Sequence, residues 1–462
     1  MRITEKLLQT TTRALTEVLS FHHPADAALS HFFRQERALG IQDRAFVAES
    51  VYAVLRRKRS VERFAGSTPR RLLLATLAKV QGLSLRQLDE AVSPAEAQWL
   101  ASLHGETMGE PPSLAERADL PDWLAERLLP VTGEAGLLAL AASLNLPAPL
   151  DLRVNPMKAS REQVLKRLND EGMGAVAGPY SPLAVRMSGK PALQKHPLFL
   201  DGTIEVQDEG SQLLGYLLAP KRGEMVVDFC AGAGGKTLLL GALMRSTGRL
   251  YAYDVSEKRL AKLKPRAARA GLSNVHPVCL GSETDARLKR LAGKADRVLV
   301  DAPCSGLGTL RRNPDLKWRQ TLAGLLELTA KQAAILASAA RLVKPGGRLV
   351  YATCSLLPEE NAEVVDAFLA AHPEFRRLSA KEVLAGQGIY LGSEAMATHD
   401  VPLALPSPLA PLPQGEGNVV RLKPAVKLED LQLLPQTHGT DGFYAAVLER
   451  IAKAVEQAGG EK

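Results

Sequence analysis

The chain is poor in cysteine. Four cysteines occur in 462 residues, Cys230, Cys279, Cys304 and Cys354. None forms a CxxC pair, so neither a zinc knuckle nor a disulfide framework is indicated, and no metal site is expected. A reducing cytoplasmic setting fits this usage. Long apolar runs are also missing. No stretch of about 18 consecutive apolar residues exists, and the opening MRITEKLLQTTTRAL lacks the pattern of a signal peptide, so no membrane partner is expected. There is no internal repeat. What the chain does have is an ordinary core-forming composition, 46% hydrophobic and 23% charged, with a formal net charge of +8. That excess favours a polyanionic partner.

The length implies more than one domain. Residues 1–140 read as helical. DRAFVAESVYAVLRRKRSVERF carries apolar residues at helical spacing and ends in a basic cluster, Arg56, Arg57, Lys58 and Arg59. RADLPDWLAERLLPVTG reads as a helix entered through Asp119 and Pro121 and stopped near Pro130. From residue 145 to 205 the texture is strand, helix, strand, a small α+β module. From 206 to 452 strands at 225–229, 249–253, 275–279, 297–301 and 348–353 alternate with helices, which predicts an α/β domain with a parallel sheet covered on both faces. VPLALPSPLAPLPQGEGN, residues 401–418, has the composition of a linker or disordered insertion. DGFYAAVLERI closes the domain as a strand and a helix.

The loop of VVDFCAGAGGKTLLLGALM follows the first of those strands. A Walker A loop would need glycine at position 230, where Cys230 stands. A dinucleotide GxGxxG starting at Gly232 would need glycine where Thr237 stands. Both spacings fail. Asp254 ends the next strand about twenty residues further on, where a carboxylate can accept both hydroxyls of a ribose. A nucleoside cofactor without a clamped triphosphate fits better than ATP, and S-adenosylmethionine is such a molecule. Two further strands end in DAPC and ATC, placing Cys304 and Cys354 beside the cofactor loop. Single buried cysteines usually pack as small hydrophobes, but two at the carboxyl ends of two strands, beside a cofactor loop, are harder to dismiss.

The motifs LRVNP, QDEGSQL, DFCAGAGGKT, YDVSEKRL, VDAPCSGLGTLRRNPDLKW, YATCSLLPEENAEVV and TDGFYAAVL resemble the NOL1/NOP2/sun family of RNA 5-methylcytosine methyltransferases. The resemblance runs from about Leu152 to Val447, and lies nearest the members that modify small-subunit (16S) ribosomal RNA. It implies a Rossmann-like class I methyltransferase domain, S-adenosylmethionine as cofactor, ribosomal RNA as partner, and a NusB-like helical RNA-binding domain at residues 1–140. A cytoplasmic monomer is expected. Cofactor contacts would fall on Cys230, Ala231, Gly232, Ala233, Gly234, Gly235 and Lys236, on Asp254 for the ribose, and on Asp301. Where the family usually has Asp at the third strand, this chain reads CLGSETDA. Ser282 takes that register, so Glu283 or Asp285 would have to serve the adenine side, and Asp285 is the residue selected. Cys354 would be the nucleophile toward carbon 6 of cytosine and Cys304 would assist release. Asp301, desolvated at its strand end, would donate to ring nitrogen N3. Arg311, Arg312, Lys317 and Arg319 would grip phosphates beside the target base.

Three other functions fit less well. A non-catalytic RNA-binding assembly factor could dispense with both cysteines and Asp254. A P-loop NTPase is disfavoured by Cys230. A DNA cytosine methyltransferase would use its Pro-Cys cysteine, and is disfavoured by the Thr-Cys motif and the helical extension.

Overall fold

The computed structural model describes residues 2–103, 111–391 and 430–452. The insertion expected at 401–418 lies outside the described residues. DGFYAAVLERI, expected as a strand and a helix, is a single strand, Phe443–Arg450. The described residues divide into two compact units: those up to Pro147 with Thr309–Leu322, and Ala148–Gly308 with residues 323–391 and 430–452.

The first unit is helical. Its central helix, Ile41–Ala65, buries Val47, Ser50, Val51, Val54, Leu55 and Val61, the helical stripe expected from the sequence. Those residues meet Leu8 and Leu15 of helix Glu5–Leu19 and Leu73, Leu74 and Leu77 of helix Pro69–Lys79 in one apolar core. The backbone leaves helical values at Arg57 (φ −113°, ψ 17°). Helix Asp122–Leu144 does not stop near Pro130; it passes through that proline and breaks at Gly133 (φ 66°, ψ 171°). By length and composition this helix could cross a membrane. The break divides it into pieces too short to span about 30 Å of hydrocarbon.

The second unit holds two sheets. In the smaller, β1 (Leu150–Val154), β2 (Ala175–Ala177), β3 (Ala184–Met187) and β4 (Ile204–Val206) pair antiparallel in the order β2-β3-β1-β4. In the larger, β5 (Met225–Asp228), β6 (Arg249–Asp254), β7 (Val275–Cys279), β8 (Ala295–Asp301) and β9 (Val343–Thr353) are parallel. β10 (Phe375–Leu378), β11 (Leu431–Leu433) and β12 (Phe443–Arg450) add antiparallel pairings, giving the order β10-β12-β9-β8-β5-β6-β7 with β11 on β12. This is a Rossmann-like α/β fold. Its five parallel strands are the five read from the sequence, and their carboxyl ends point to one edge, where such sheets bind ligands.

Candidate active site

The loop after β5 turns through two left-handed glycines, Gly232 (φ 56°) and Gly234 (φ 90°). A side chain at Gly234 would collide with Leu263 at 2.2 Å, so that glycine lets helix Glu257–Ala270 pack against the loop. At Gly232 an added Cβ would meet nothing within 4 Å; it would project into open space. Two arginines fix the loop. Arg153 Nη1 donates to Gly235 O at 2.6 Å, and Arg266 Nη1 to Ala233 O at 2.6 Å. Burial lowers the Arg153 pKa to about 10, yet its guanidinium stays charged at neutral pH. Sequence reasoning missed Arg153 as a site residue, although it stands in the LRVNP motif.

The loop and the strand ends enclose a cavity of about 650 Å³. Cys230, Ala231, Gly232, Ala233, Gly235, Lys236, Asp254, Asp301, Cys304 and Cys354 all line it, while Gly234 only turns the chain. Asp254 also holds the loop: its Oδ2 accepts from Gly232 N at 2.8 Å, and its Oδ1 from Ser256 N at 2.7 Å and pairs with Arg259 at 2.9 Å. Cys230 is a packed thiol. Burial, with Asp228, Asp301 and Asp254 nearby, pushes its pKa far up.

Asp285 is not among the residues lining the cavity, whereas Ser282 and Glu283 are. Its carboxylate accepts from Gly281 N at 2.8 Å and Arg287 N at 2.9 Å and pairs with the Arg287 guanidinium at 2.6 Å, so it caps the turn that follows. Those hydrogen bonds, first from the Arg287 side chain, hold its carboxyl well below the usual range.

Asp228 lines the cavity and is fully buried. Its Oδ2 accepts from Thr237 at 2.7 Å, and among the described residues its Oδ1 has no hydrogen-bond partner. Burial raises its pKa to about 7, with Asp301 and Asp254 adding to the effect and Thr237 opposing it.

Asp301 does not sit in the apolar setting expected of a carboxyl that donates. Lys236 Nζ lies 2.6 Å from its Oδ2 and its side chain is 29% exposed. Burial works to lower the Lys236 pKa, but Asp301, and then the Cys354 sulfur, outweigh it and hold the ammonium above its usual range. The pair therefore offers an N–H donor and a carboxylate acceptor side by side.

The two sulfurs meet. Cys304 Sγ and Cys354 Sγ are 3.4 Å apart. β8 and β9 are adjacent, with Asp301 level with Ala352, so both turns leave the sheet at the same height. The hydrogen bond to Cys354, then burial, raise the Cys304 pKa well above that of an ordinary thiol, and the Glu360 charge adds to this. Either sulfur can be the donor in this contact. The TDGF motif closes the site from behind. Gly442 N donates to Gly308 O and Gly308 N to Cys354 O, both at 2.8 Å. A Cβ on Gly308 would lie 2.1 Å from Gly442 O, so both positions need glycine for this approach.

The basic residues expected to grip phosphate fold inward instead, within the helical unit. Lys317 is 2% exposed and donates to Arg56 O at 2.9 Å and Asn145 Oδ1 at 3.1 Å. Trp318 Nε1 donates to Leu55 O at 2.8 Å, Arg319 pairs with Asp315 at 3.3 Å, and Arg311 is buried. Arg312 is half-buried. The cluster at residues 56–59 is likewise engaged: Arg56 with Arg311 O, Arg57 with Asp119, Lys58 with Glu62, and Arg59 with Asp122. These charges fasten the segment 309–322 and the chain around Asp119 to the kinked helix.

Comparison with known proteins supplies the context. The family model described as 16S rRNA methyltransferase RsmB/F matches residues 215–449, and the RsmF/B-like ferredoxin-like domain matches residues 120–194. A protein of Synechocystis sp. named "Probable ribosomal RNA small subunit methyltransferase B" is 34% identical over 450 residues, covering 90% of this chain and 93% of its own length. A Bacillus subtilis protein of the same name is 32% identical over 343 residues, 73% of this chain and 68% of its own. The crystal structure of PH0851 is 27% identical and aligns with a TM-score of 0.71, covering 97% of this chain and 99% of that one.

Proposed function

The chain belongs to the RsmB/F family of 16S rRNA methyltransferases, and we propose that it methylates carbon 5 of a cytosine in small-subunit ribosomal RNA through a covalent bond between Cys354 and carbon 6. The observation that carries this reading is the 3.4 Å contact of two thiols on the wall of the cofactor-loop cavity.

The cavity suits S-adenosylmethionine. The open space at Gly232, the unpartnered Oδ1 of Asp228 and the carboxylate of Asp254 offer a close backbone approach, an acceptor for an ammonium and acceptors for a ribose. Ser282 and Glu283 would meet the adenine side. Bound there, the cofactor supplies an electrophilic methyl group.

Carbon 5 of cytosine is a weak nucleophile in an aromatic ring. The target base must leave its stack to reach the thiols. Cys354 as thiolate adds at carbon 6, and the ring electrons move toward carbon 5, which becomes enamine-like. The Cys304 S–H and the Lys236 ammonium stabilise the attacking sulfur. The Lys236–Asp301 pair matches the cytosine edge: the ammonium donates to N3 and the carboxylate accepts from the N4 amine. Uracil presents the opposite order and is disfavoured.

After methylation a base must remove the carbon 5 proton. The hydrogen bond to Cys354, then burial, then the charge on Cys354 raise the Cys304 pKa. Once Cys354 is bonded to carbon, that neighbour no longer carries charge, and Cys304 ionises more readily, its proton passing to solvent. Its thiolate then takes the carbon 5 proton, the C5–C6 double bond re-forms and Cys354 leaves as thiolate. Denaturing gels of single variants with unmodified rRNA test this order. Cys354→Ala should give neither adduct nor methyl transfer, while Cys304→Ala should accumulate enzyme joined to methylated RNA. An adduct with Cys354→Ala would reverse the roles, and full methylation by both variants would refute covalent catalysis.

A further inference from the structure

One buried carboxylate beside the thiols has no part in that mechanism. Glu360 lies in the short turn Pro358–Glu360 after β9 and is 0% exposed. Its Oε1 accepts from Ser305 N at 2.8 Å and Gln332 Nε2 at 2.9 Å; its Oε2 accepts from the hydroxyls of Ser305, at 2.5 Å, and Ser355. Four donors use the full acceptor capacity of a carboxylate.

The origin of those donors is the informative part. Ser305 follows Cys304, and Ser355 follows Cys354. The two hydroxyls stand 3.2 Å apart, one residue along the chain from sulfurs 3.4 Å apart. Gln332 also donates to Pro303 O at 3.0 Å, on the other side of Cys304. Asn361, next to Glu360, takes the Thr353 hydroxyl at 2.5 Å and donates to Ser355 O at 3.1 Å. Each cysteine is therefore bracketed by residues tied to Glu360 or to its immediate partners.

We propose that Glu360 is the positioning residue that fixes the distance between the Cys304 and Cys354 sulfurs by tying the two Cys-Ser turns to one carboxylate. Burying a carboxylate costs several kcal/mol, and apolar side chains would fill the same space without that cost. An apolar group, however, cannot hold two hydroxyls, an N–H and an amide at once. The ties also span positions some fifty residues apart in sequence, the Pro-Cys-Ser turn after β8 and the Thr-Cys-Ser turn after β9, so they do more than cap a local turn. The proposal gives a role in the two-thiol reaction and so rests on that reading, but its test needs neither RNA nor methyl donor.

Diamide, which removes the hydrogens of two neighbouring thiols to form a disulfide, reads sulfur proximity in the full chain. The Cys304–Cys354 disulfide is followed by peptide mass spectrometry. Glu360→Ala should close it on the order of tenfold or more slowly than wild type, the scale expected for a misplacement near 1 Å. Glu360→Gln, which keeps an acceptor for Ser305 N and an amide that the rotatable hydroxyls can accept from, should close near the wild-type rate. In methylation, Glu360→Ala should lower kcat and leave KM for RNA unchanged, with Gln restoring kcat. A wild-type closure rate in Glu360→Ala would overturn the proposal. Should that variant fail to fold, Ser355→Ala removes one tie and must slow closure in the same direction; an unchanged rate there overturns the proposal equally. Methylation by Cys354→Ala would sink the two-thiol reaction while leaving the closure result to stand on its own.

Discussion

Replacing Lys317 with Met tests the largest difference between sequence and structure. A lysine that grips RNA would be solvated, and its loss would weaken binding and flatten the salt dependence by nearly one ion. The structure buries it. Burial brings its pKa down to about 7, with Arg57 and Arg56 adding to the effect and Asp119 opposing it. The sign follows. Below pH 7 both folded and unfolded chains hold the proton, and the full burial penalty is present. Between pH 7 and the ordinary lysine range the unfolded chain still holds the proton and the folded chain has released it, so stability rises with pH. The slope is about 1.4 kcal/mol per pH unit. From pH 7 to 9.5 wild type should gain about 3 kcal/mol relative to Lys317→Met. Absolute stability at one pH is a poorer test, because Met leaves Arg56 O and Asn145 Oδ1 without a donor, at about 1–3 kcal/mol each. All three tryptophans, Trp99, Trp123 and Trp318, belong to the helical unit, so urea unfolding followed by their fluorescence reports on that unit alone. Parallel pH profiles for the two proteins, together with weaker RNA binding by the variant, would refute the buried assignment.

Asp228→Asn should behave with the opposite slope. Burial holds the wild-type proton up to about pH 7 while the unfolded chain loses it near pH 4, so wild type loses stability across that window. The variant should gain about 2–4 kcal/mol on wild type between pH 4.5 and 7.5 in thermal unfolding; identical profiles would show an ionised Asp228. Arg57→Ala and Arg59→Ala should lower the melting temperature and leave the salt slope of RNA binding unchanged, and a slope flattened by about one ion per residue would make them phosphate contacts instead. Arg153→Met frees Gly235 O, so calorimetry should show weaker S-adenosylmethionine binding by about tenfold, the worth of one charge-assisted hydrogen bond; unchanged affinity would mean that the loop holds itself.

The parallel sheet was legible because each strand is a short apolar run bounded by glycine or charge, and the cofactor loop because two familiar spacings fail at Cys230 and Thr237. The turn contacts of Asp285 had a local signal: a carboxylate placed two residues before Arg287 and four after Gly281 can cap its own turn. Lys317 had no such signal. Lysines are almost never fully buried, and its acceptors are a main-chain oxygen and an asparagine 172 residues away. Arg153 and Glu360 were hidden for the same reason. Each acts through atoms brought close only by the folded sheet, and neither belongs to a charge pattern that a helix or strand period would expose.

The site itself shows what the sheet supplies and what it does not. Neighbouring strands lie about 4.8 Å apart, which brings two strand ends close but does not bring two side chains beyond those ends into contact. Cys304 is three residues past Asp301, and Cys354 is two past Ala352, so each stands on an irregular turn free to take other shapes. Contact between the sulfurs therefore needs ties outside the ladder. The structure provides them in polar form, through a buried carboxylate with four donors, and places the Lys236–Asp301 ion pair beside the same cavity. Both are costly places to put charge. A fold selected for stability alone would fill them with apolar side chains, whereas the proposed reaction, which adds one thiol and removes a proton with another, would need both sulfurs held at one carbon–carbon bond.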